Sequence, residues 1–85
     1  MTLLLFLACA SPNEMDRAKW QSLSHDDRVL FVKTLIGAEQ SKNAKGGGGL
    51  NYNEDAAVYA QRIDDAYARG DQRRVDEIFA EMGTK

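Results

Sequence analysis

Cysteine, histidine and proline each occur only once in this sequence, and their scarcity excludes several classes of protein. Cys9 alone cannot form an intramolecular disulfide framework or a cysteine-ligated zinc site. His25 has no second ligand residue at metal-binding spacing, so no metal site is predicted. The uninterrupted apolar stretches also fall short of the roughly 18–20 residues that a membrane-spanning helix requires.

The charged residues show no excess of one sign that would point to a nucleic-acid partner. The chain has 11 basic and 13 acidic residues, a net charge of −2, and the two signs are interspersed. Neutralising phosphates requires a basic patch, so no nucleic-acid binding is predicted. The one local cluster of arginines alternates with acidic residues and is expected to be an ion-paired, solvated face. This cluster comprises Arg69, Asp71, Arg73, Arg74, Asp76 and Glu77.

Residues suited to catalysis are also few. A hydrolytic triad needs a nucleophile, a base and an orienting acid, and His25 is the only imidazole in the chain. His25 is expected to be exposed at a helix N-terminus. The glycine run at 46–49 is followed by Leu50 rather than by the lysine and hydroxyl of a phosphate-binding loop. It is therefore interpreted as a flexible hinge, and neither an enzymatic activity nor a cofactor is predicted.

Helical periodicity dominates the C-terminal half of the chain. The start signal at Asn53 and the apolar spacing that follows predict a helix from there to about Arg69. Gly70 is expected to end this helix in a left-handed conformation, and Asp71 is expected to cap a last helix over residues 72–82. Two helices joined so closely must fold into a hairpin and bury their apolar faces. Those faces are formed by Tyr52, Ala56, Tyr59, Ile63, Ala66, Tyr67, Val75, Ile78, Phe79 and Met82.

A longer helix is predicted from His25 to about Asn43. Ser24 supplies a capping hydroxyl, and Asp26 and Asp27 lie near the positive end of the helix dipole. Apolar residues cover so much of the circumference of this helix that it is expected to be the central one of the bundle. They are Val29, Leu30, Phe31, Val32, Leu35 and Ile36.

The predicted fold is therefore all-α, a small three- to four-helix bundle with a C-terminal helical hairpin. The chain of 85 residues has room for one small domain, which is assigned to residues 25–83 with a glycine hinge at 46–49. Residues 1–10 are a signal-like hydrophobic segment that ends in small residues. Residues 11–24 are expected to form a tether or a short helix.

Aromatic residues provide the remaining candidates for the core and for binding. In the segment before the long helix, Asn13 is expected to cap a short helix that begins at Glu14. Trp20 is expected to fill the core, since one large side chain contributes much to a small interior. Three tyrosines lie at helical spacing and are interpreted either as core residues or as a candidate partner surface. They are Tyr52, Tyr59 and Tyr67.

The N-terminal segment Phe6-Leu7-Ala8-Cys9 resembles the lipobox of bacterial lipoproteins. Ala8 and Cys9 match this motif, whereas Phe6 stands where leucine is usual and Leu7 is larger than is common. The resemblance implies cleavage between Ala8 and Cys9 and a lipid anchor on the Cys9 sulfur. A short structural helix that packs on the bundle is the alternative interpretation of this apolar segment.

The rest of the chain resembles small secreted bacterial helical proteins. The lipobox resemblance and the lack of catalytic groups imply a non-enzymatic protein of the bacterial cell envelope that is lipid-anchored and acts by binding an unknown protein partner, and this second resemblance points the same way. The alternative is a soluble cytosolic helical interaction or regulatory module, whose N-terminal leucines pack in the core or dimerise. The second resemblance is carried by Trp20, Leu23, Ser24, Phe31, Val32, Gly37, Tyr59, Ile63 and Tyr67.

Overall fold

The computed structural model describes residues 15–84, which fold into a bundle of four helices. Within this range the only strand-like pairing is one isolated antiparallel bridge between Asn51 and Thr84. The predicted all-α fold with a C-terminal helical hairpin is confirmed. In chain order the helices are α1 (Arg17–Ser22), α2 (His25–Ala44), α3 (Ala56–Ala68) and α4 (Val75–Met82).

The central helix of the bundle is α3, not α2 as the sequence predicted. α3 packs against both α2 and α4 and contributes six buried residues, whereas α2 contributes two. Leu30, which widens the apolar face of α2, is 61% exposed. The physical reason lies in what each helix buries: α3 buries three alanines as well as its large side chains, whereas several large apolar residues of α2 stay at least partly exposed. The six buried residues of α3 are Ala56, Tyr59, Ala60, Ile63, Ala66 and Tyr67.

Local capping chemistry sets the start of α2 and the ends of α3 and α4 where the sequence predicted them. The Ser24 hydroxyl accepts a hydrogen bond from the Asp27 N–H at 3.2 Å and so begins α2. Gly70 has φ of +96° and ends α3 in a Schellman motif, in which its N–H donates to the Tyr67 carbonyl. Both predictions are confirmed, as is the end of α4 at Gly83.

The start of the last helix differs from the prediction. α4 begins at Val75 rather than at Gln72, and Asp71 does not cap it. The Asp71 carboxylate instead accepts from the Arg73 N–H at 3.0 Å and from the Arg73 guanidinium. These bonds keep the connection out of helical conformation until Arg74, whose N–H donates to Glu77.

Two other helices also begin later than predicted. Asp16 caps α1 by accepting from the Lys19 N–H at 2.9 Å, whereas the expected cap, Asn13, lies outside the described residues. α3 has Asp55 rather than Asn53 at its N-cap position. The Tyr59 hydroxyl accepts from the Glu54 N–H, so the preceding segment is held against α3 instead of continuing it.

Trp20 is fully buried, as predicted, and a polar network holds it in place. Its indole N–H donates to the Asp64 carboxylate of α3 at 2.7 Å. Arg28 of α2 pairs with the same carboxylate at 3.3 Å, and its Nε donates to the Trp20 carbonyl. These three residues, the Trp20 cluster, fasten α1 to α2 and α3.

The glycine run folds back onto the C-terminal turn of α2. The Gly49 N–H donates to the Asn43 side chain at 3.1 Å, and the Leu50 N–H donates to the Glu39 carboxylate at 2.8 Å. A methyl group at Gly49 would overlap the Glu39 carbonyl oxygen, so this close approach requires glycine. The hinge role of residues 46–49 stays a prediction.

Candidate partner-binding groove

A groove of about 450 Å³ runs between the C-terminal half of α2 and the exposed side of α4. The segment that leads from the glycine run to α3 closes one end. Its volume lies within the range of about 300–1,000 Å³ that is usual for ligand-binding clefts. We call it the Tyr52 groove. Its lining residues are Leu35, Ala38, Glu39, Lys42, Gly48, Leu50, Tyr52, Asp76, Phe79 and Ala80.

The wall at Tyr52 is held by aromatic packing. The Tyr52 ring stacks on Phe79 with centroids 4.0 Å apart and meets the Tyr59 ring edge-on at 5.2 Å. The Tyr52 hydroxyl donates to the Phe79 carbonyl at 2.8 Å. These three residues form the Tyr52 cluster, whose Phe79 is buried and whose Tyr52 is half-buried. Burial, the Glu39 charge and Tyr59 raise the pKa of Tyr52 to about 12.

On the α2 side of the groove, the carboxylate of Glu39 is bonded to two other residues of the chain. Glu39 accepts from the Leu50 N–H and pairs with the Lys42 ammonium group at 3.0 Å. The hydrogen bond from Leu50 is the main reason that the pKa of Glu39 is lowered, and Lys42 adds to it, whereas partial burial opposes the shift. The ionised carboxylate therefore holds the loop against α2.

Small residues line the mouth of the groove on both sides. Ala38 on α2, Ala80 on α4 and Gly48 in the loop are all exposed. Leu35 and Phe79 form the apolar floor beneath them and are 6% and 4% exposed. Such a surface admits the backbone or a large side chain of another molecule.

The three tyrosines of the predicted partner surface lie in different environments. Tyr59 and Tyr67 are each 2% exposed, so their rings belong to the interior. The Tyr67 hydroxyl donates to the Arg73 carbonyl at 2.7 Å, and burial is the main cause that raises its pKa to about 12. Tyr52 alone lines the groove. The partner surface formed by the three tyrosines stays a prediction. Of the three, only Tyr52 is partly exposed in the folded chain.

The groove also contains residues that the sequence analysis did not single out. Ala38 and Ala80 carry no recognisable signal, since alanine is equally common on buried and exposed helix faces. Glu39 bonds to a residue 11 positions away, a contact that no helical spacing indicates. Only the tertiary arrangement brings these residues together.

The arginine cluster around the turn at 69–74 lines a second, charged hollow of about 230 Å³. Arg73 pairs with Asp71 at 2.8 Å and with Glu81 at 2.7 Å. The hydrogen bonds from Arg73 lower the pKa of Asp71 to about 2. Arg74 pairs with Asp76 at 3.2 Å. The predicted ion-paired face is thus present at Arg73 and Arg74, and the opposite charges cancel locally.

The remaining sequence predictions concern His25, metal binding, membrane-spanning helices and Cys9. His25 is exposed in the first turn of α2. Among residues 15–84, no group of three or more histidine, cysteine or acidic side chains is placed to hold a metal ion. No helix in that range has both the length and the apolar character needed to cross a membrane. Cys9 lies outside the described residues.

Comparison with known proteins gives no relative from which a function could be transferred. No family model matches the chain, and neither curated proteins nor solved structures provide a match.

Proposed function

We propose that this chain is a non-enzymatic binding protein of the bacterial cell envelope, anchored through a lipid on Cys9 and binding a protein partner in the Tyr52 groove. The lipobox-like sequence around Cys9 supports the anchor. The observation that carries the binding role is the groove itself, which combines an apolar floor with small residues at its mouth.

The polar groups around the groove favour binding over catalysis. The Tyr52 hydroxyl is occupied by the Phe79 carbonyl, and Glu39 is occupied by the Leu50 N–H and by Lys42. Asp76 on the opposite wall is paired with Arg74. The groove lining also contains no serine, threonine, cysteine or histidine, the side chains that most often serve as nucleophile or general base.

The partner segment that fits the groove best is an amphipathic helix. Two helices form the long walls, and the alanines at positions 38 and 80 allow a third helix to pack closely between them. Lys42 and Asp76 place opposite charges at separate points of the rim. Because Glu39 already pairs with Lys42 and Arg74 with Asp76, a helix with an apolar stripe flanked by polar residues would complement this surface.

Site-specific photo-crosslinking in native membranes tests the binding role. A photoreactive amino acid at Ala38 or Ala80 is expected to form an adduct with one partner, mapped to one helix of that partner. The same amino acid at Ala57 or Ala68, two exposed alanines on α3, is the matched control. No adduct at positions 38 and 80, or equal adducts at all four positions, would contradict the proposal.

Metabolic labelling with a palmitate analogue tests the anchor. The wild-type chain is expected to be labelled and recovered with membranes, whereas Cys9→Ala is expected to remain unlabelled. Absence of label from both chains, with intact protein in the cytosol, would reject the anchor. That outcome would favour the soluble interaction module instead.

A further inference from the structure

One side of α2 is left uncovered by the rest of the bundle. The sequence predicts that apolar residues surround most of this helix, yet the fold buries two of them, Val32 and Leu35. Within residues 15–84, Leu30 is the one large apolar side chain that is exposed, at 61%. A single exposed leucine is common on monomeric proteins, so its meaning depends on the residues around it.

The residues that share this side of α2 with Leu30 are all exposed. An α-helix turns by about 100° per residue, so positions 26, 30, 34, 37, 41 and 45 lie on one side. Leu35, Glu39 and Lys42, which line the Tyr52 groove, lie about a third of a turn away. We call the exposed side the outward face of α2. It consists of Asp26, Leu30, Thr34, Gly37, Ser41 and Lys45.

The charges of the outward face lie at its opposite ends. Asp26 is in the first turn of α2, and Lys45 is the C-cap residue. Neither side chain forms an ion pair with another residue of the described range. At a rise of 1.5 Å per residue the two positions are about 28 Å apart, so they cannot pair within one chain.

Neighbouring charges do not cancel this separation. At the N-terminal end Asp27 adds a second carboxylate, while Arg28 is paired with Asp64. At the C-terminal end Lys42 is paired with Glu39, which leaves the positive charge of the C-cap lysine. The outward face is therefore negative at one end and positive at the other.

The middle of the outward face presents small residues. A methyl group at Gly37 would meet nothing within 4 Å, so the space beside it is open. The Thr34 hydroxyl donates to the Leu30 carbonyl at 3.1 Å and is thus satisfied within the helix. Since the distance between packed helices depends on the side chains at the contact, this region allows another helix to approach closely.

We propose that the outward face binds the same face of a second copy of this chain, with the two α2 helices antiparallel around a two-fold axis. In such a pair, one step forward along one helix corresponds to one step back along the other. The register that joins the two charged ends therefore also sets every other contact of the face. The opposing residues are Asp26 with Lys45, Leu30 with Ser41 and Thr34 with Gly37.

The outward face is complementary to itself in both charge and size. Each carboxylate end meets a lysine end, and Leu30, the large apolar residue of the face, meets the small Ser41. This match of the face with its own copy favours a symmetric dimer over binding of an unrelated helix. A dimer of this kind requires neither the lipid anchor nor a partner in the Tyr52 groove.

Sedimentation equilibrium of the full chain tests for the dimer. All chains carry Cys9→Ala, so that no disulfide or acyl group at position 9 contributes. A contact between two single helices is small, and half of the chains are expected to be dimeric at roughly 0.1 mM. A chain that stays monomeric up to about 1 mM would overturn the proposal.

Gly37→Leu tests whether the outward face forms the contact. Leucine on both copies would hold the helices apart, so dimerisation is expected to weaken by roughly tenfold or more. The folded monomer is expected to keep or gain stability, because the space beside Gly37 is open and leucine favours a helix over glycine. Ala57→Leu adds bulk at an exposed position of α3 and is expected to leave dimerisation unchanged. Equal dimerisation of Gly37→Leu and Ala57→Leu would overturn the assignment to this face.

Charge reversal tests the register. Asp26→Lys and Lys45→Asp are each expected to weaken dimerisation by roughly fivefold, because the contact occurs twice in the dimer. Both substitutions in one chain restore opposite charges between the two copies and are expected to return dimerisation to the level of the parent chain. A double variant that dimerises as weakly as either single variant, or more weakly, would overturn this register.

Disulfide formation tests the antiparallel orientation. With Cys9 replaced, an engineered cysteine is the only thiol in the chain. Thr34 lies near the two-fold axis, so Thr34→Cys is expected to crosslink with itself under mild oxidation. Ser41→Cys would lie about 16 Å from its own copy and is expected to crosslink only when mixed with Leu30→Cys. In a parallel pair each position faces its own copy, so equal self-crosslinking of Thr34→Cys and Ser41→Cys would overturn the antiparallel arrangement.

Discussion

The Trp20 cluster and the Tyr52 cluster fasten the two halves of α3 to the rest of the bundle by different means. Toward the C-terminal end of α3, one indole ring is held by a carboxylate, which also binds an arginine. Toward the N-terminal end, three aromatic rings pack on one another, with centroid distances between 4.0 and 6.0 Å. The first arrangement depends on a polar partner, whereas the second depends mainly on buried aromatic area.

This difference determines how each cluster responds to change. Removing a ring from the Tyr52 cluster leaves a cavity, and the loss grows with the volume removed. Removing the acceptor from the Trp20 cluster leaves the volume almost intact but isolates a buried N–H donor, which costs its desolvation energy. Substitutions in each cluster can therefore measure the cost of the cavity and the cost of the unpaired N–H donor separately.

The largest effect is expected for Phe79→Ala in the Tyr52 cluster. Loss of a buried phenylalanine costs about 3–5 kcal/mol in the free energy of unfolding. A core of this size supplies roughly 3–5 kcal/mol, so the variant is expected to be largely unfolded at room temperature. Circular dichroism during a thermal melt measures this.

Leu30→Ala is the control for that variant. Leu30 is a large apolar residue on α2 but is exposed, so its truncation is expected to change the free energy of unfolding by less than about 0.5 kcal/mol. Similar melting temperatures for Phe79→Ala and the wild type would contradict the placement of Phe79 in the core.

The next largest effect is expected for Asp64→Ala in the Trp20 cluster. The substitution removes the acceptor of the Trp20 indole N–H and the partner of Arg28, at an expected cost of about 1–3 kcal/mol. Urea unfolding followed by the emission of Trp20, the only tryptophan, measures it directly.

Asp65→Ala provides a matched control for this change. Asp65 is the exposed neighbour of Asp64 on α3, and its carboxylate accepts from Gln61. Its truncation is expected to change stability by less than about 0.5 kcal/mol. If the two variants were equally stable, the carboxylate would have no role in holding Trp20.

The contrast between the clusters also explains which parts of the fold were predictable. Apolar spacing and the glycine at position 70 predicted α2, the C-terminal hairpin and the burial of Phe79, and the size of its side chain predicted the burial of Trp20, because these depend on local chemistry and hydrophobic burial. The bond between Trp20 and Asp64 joins residues 44 positions apart, so no local pattern indicates it. The start of α4 was misplaced because Asp71 bonds to Arg73 instead of capping a helix.

The choice of central helix failed for a related reason. A wide apolar face predicts that α2 is central, but that face stays partly exposed, whereas small residues of α3 such as Ala60 and Ala66 are buried. The same limit applies to the Tyr52 groove. Its floor contains predicted core residues, whereas its mouth depends on exposed alanines that become informative only once α2 and α4 are seen to line the same groove.

A smaller effect is expected for Tyr52→Phe, which tests whether hydrogen bonding adds to ring packing in the Tyr52 cluster. The variant keeps the ring stacked on Phe79 but removes the hydroxyl that donates to the Phe79 carbonyl. The expected loss is about 0.5–1.5 kcal/mol, measured by urea unfolding at neutral pH. A loss as large as that of Phe79→Ala would mean that the hydroxyl, not the buried ring area, dominates this cluster.

Alkaline pH is expected to destabilise the Tyr52 cluster through ionisation of its phenol. The pKa of Tyr52 is raised from 10.0 to about 12, with burial as the largest cause. The folded state therefore favours the neutral phenol, and this contribution to stability is present below about pH 10 and is lost as the pH rises toward about 12.

The Trp20 cluster contains no phenol. In urea unfolding across this pH range, Tyr52→Phe is expected to lose less stability than the wild type, with Tyr67 accounting for part of the loss that remains. Parallel losses in the two chains would show that Tyr52 titrates alike in the folded and unfolded states.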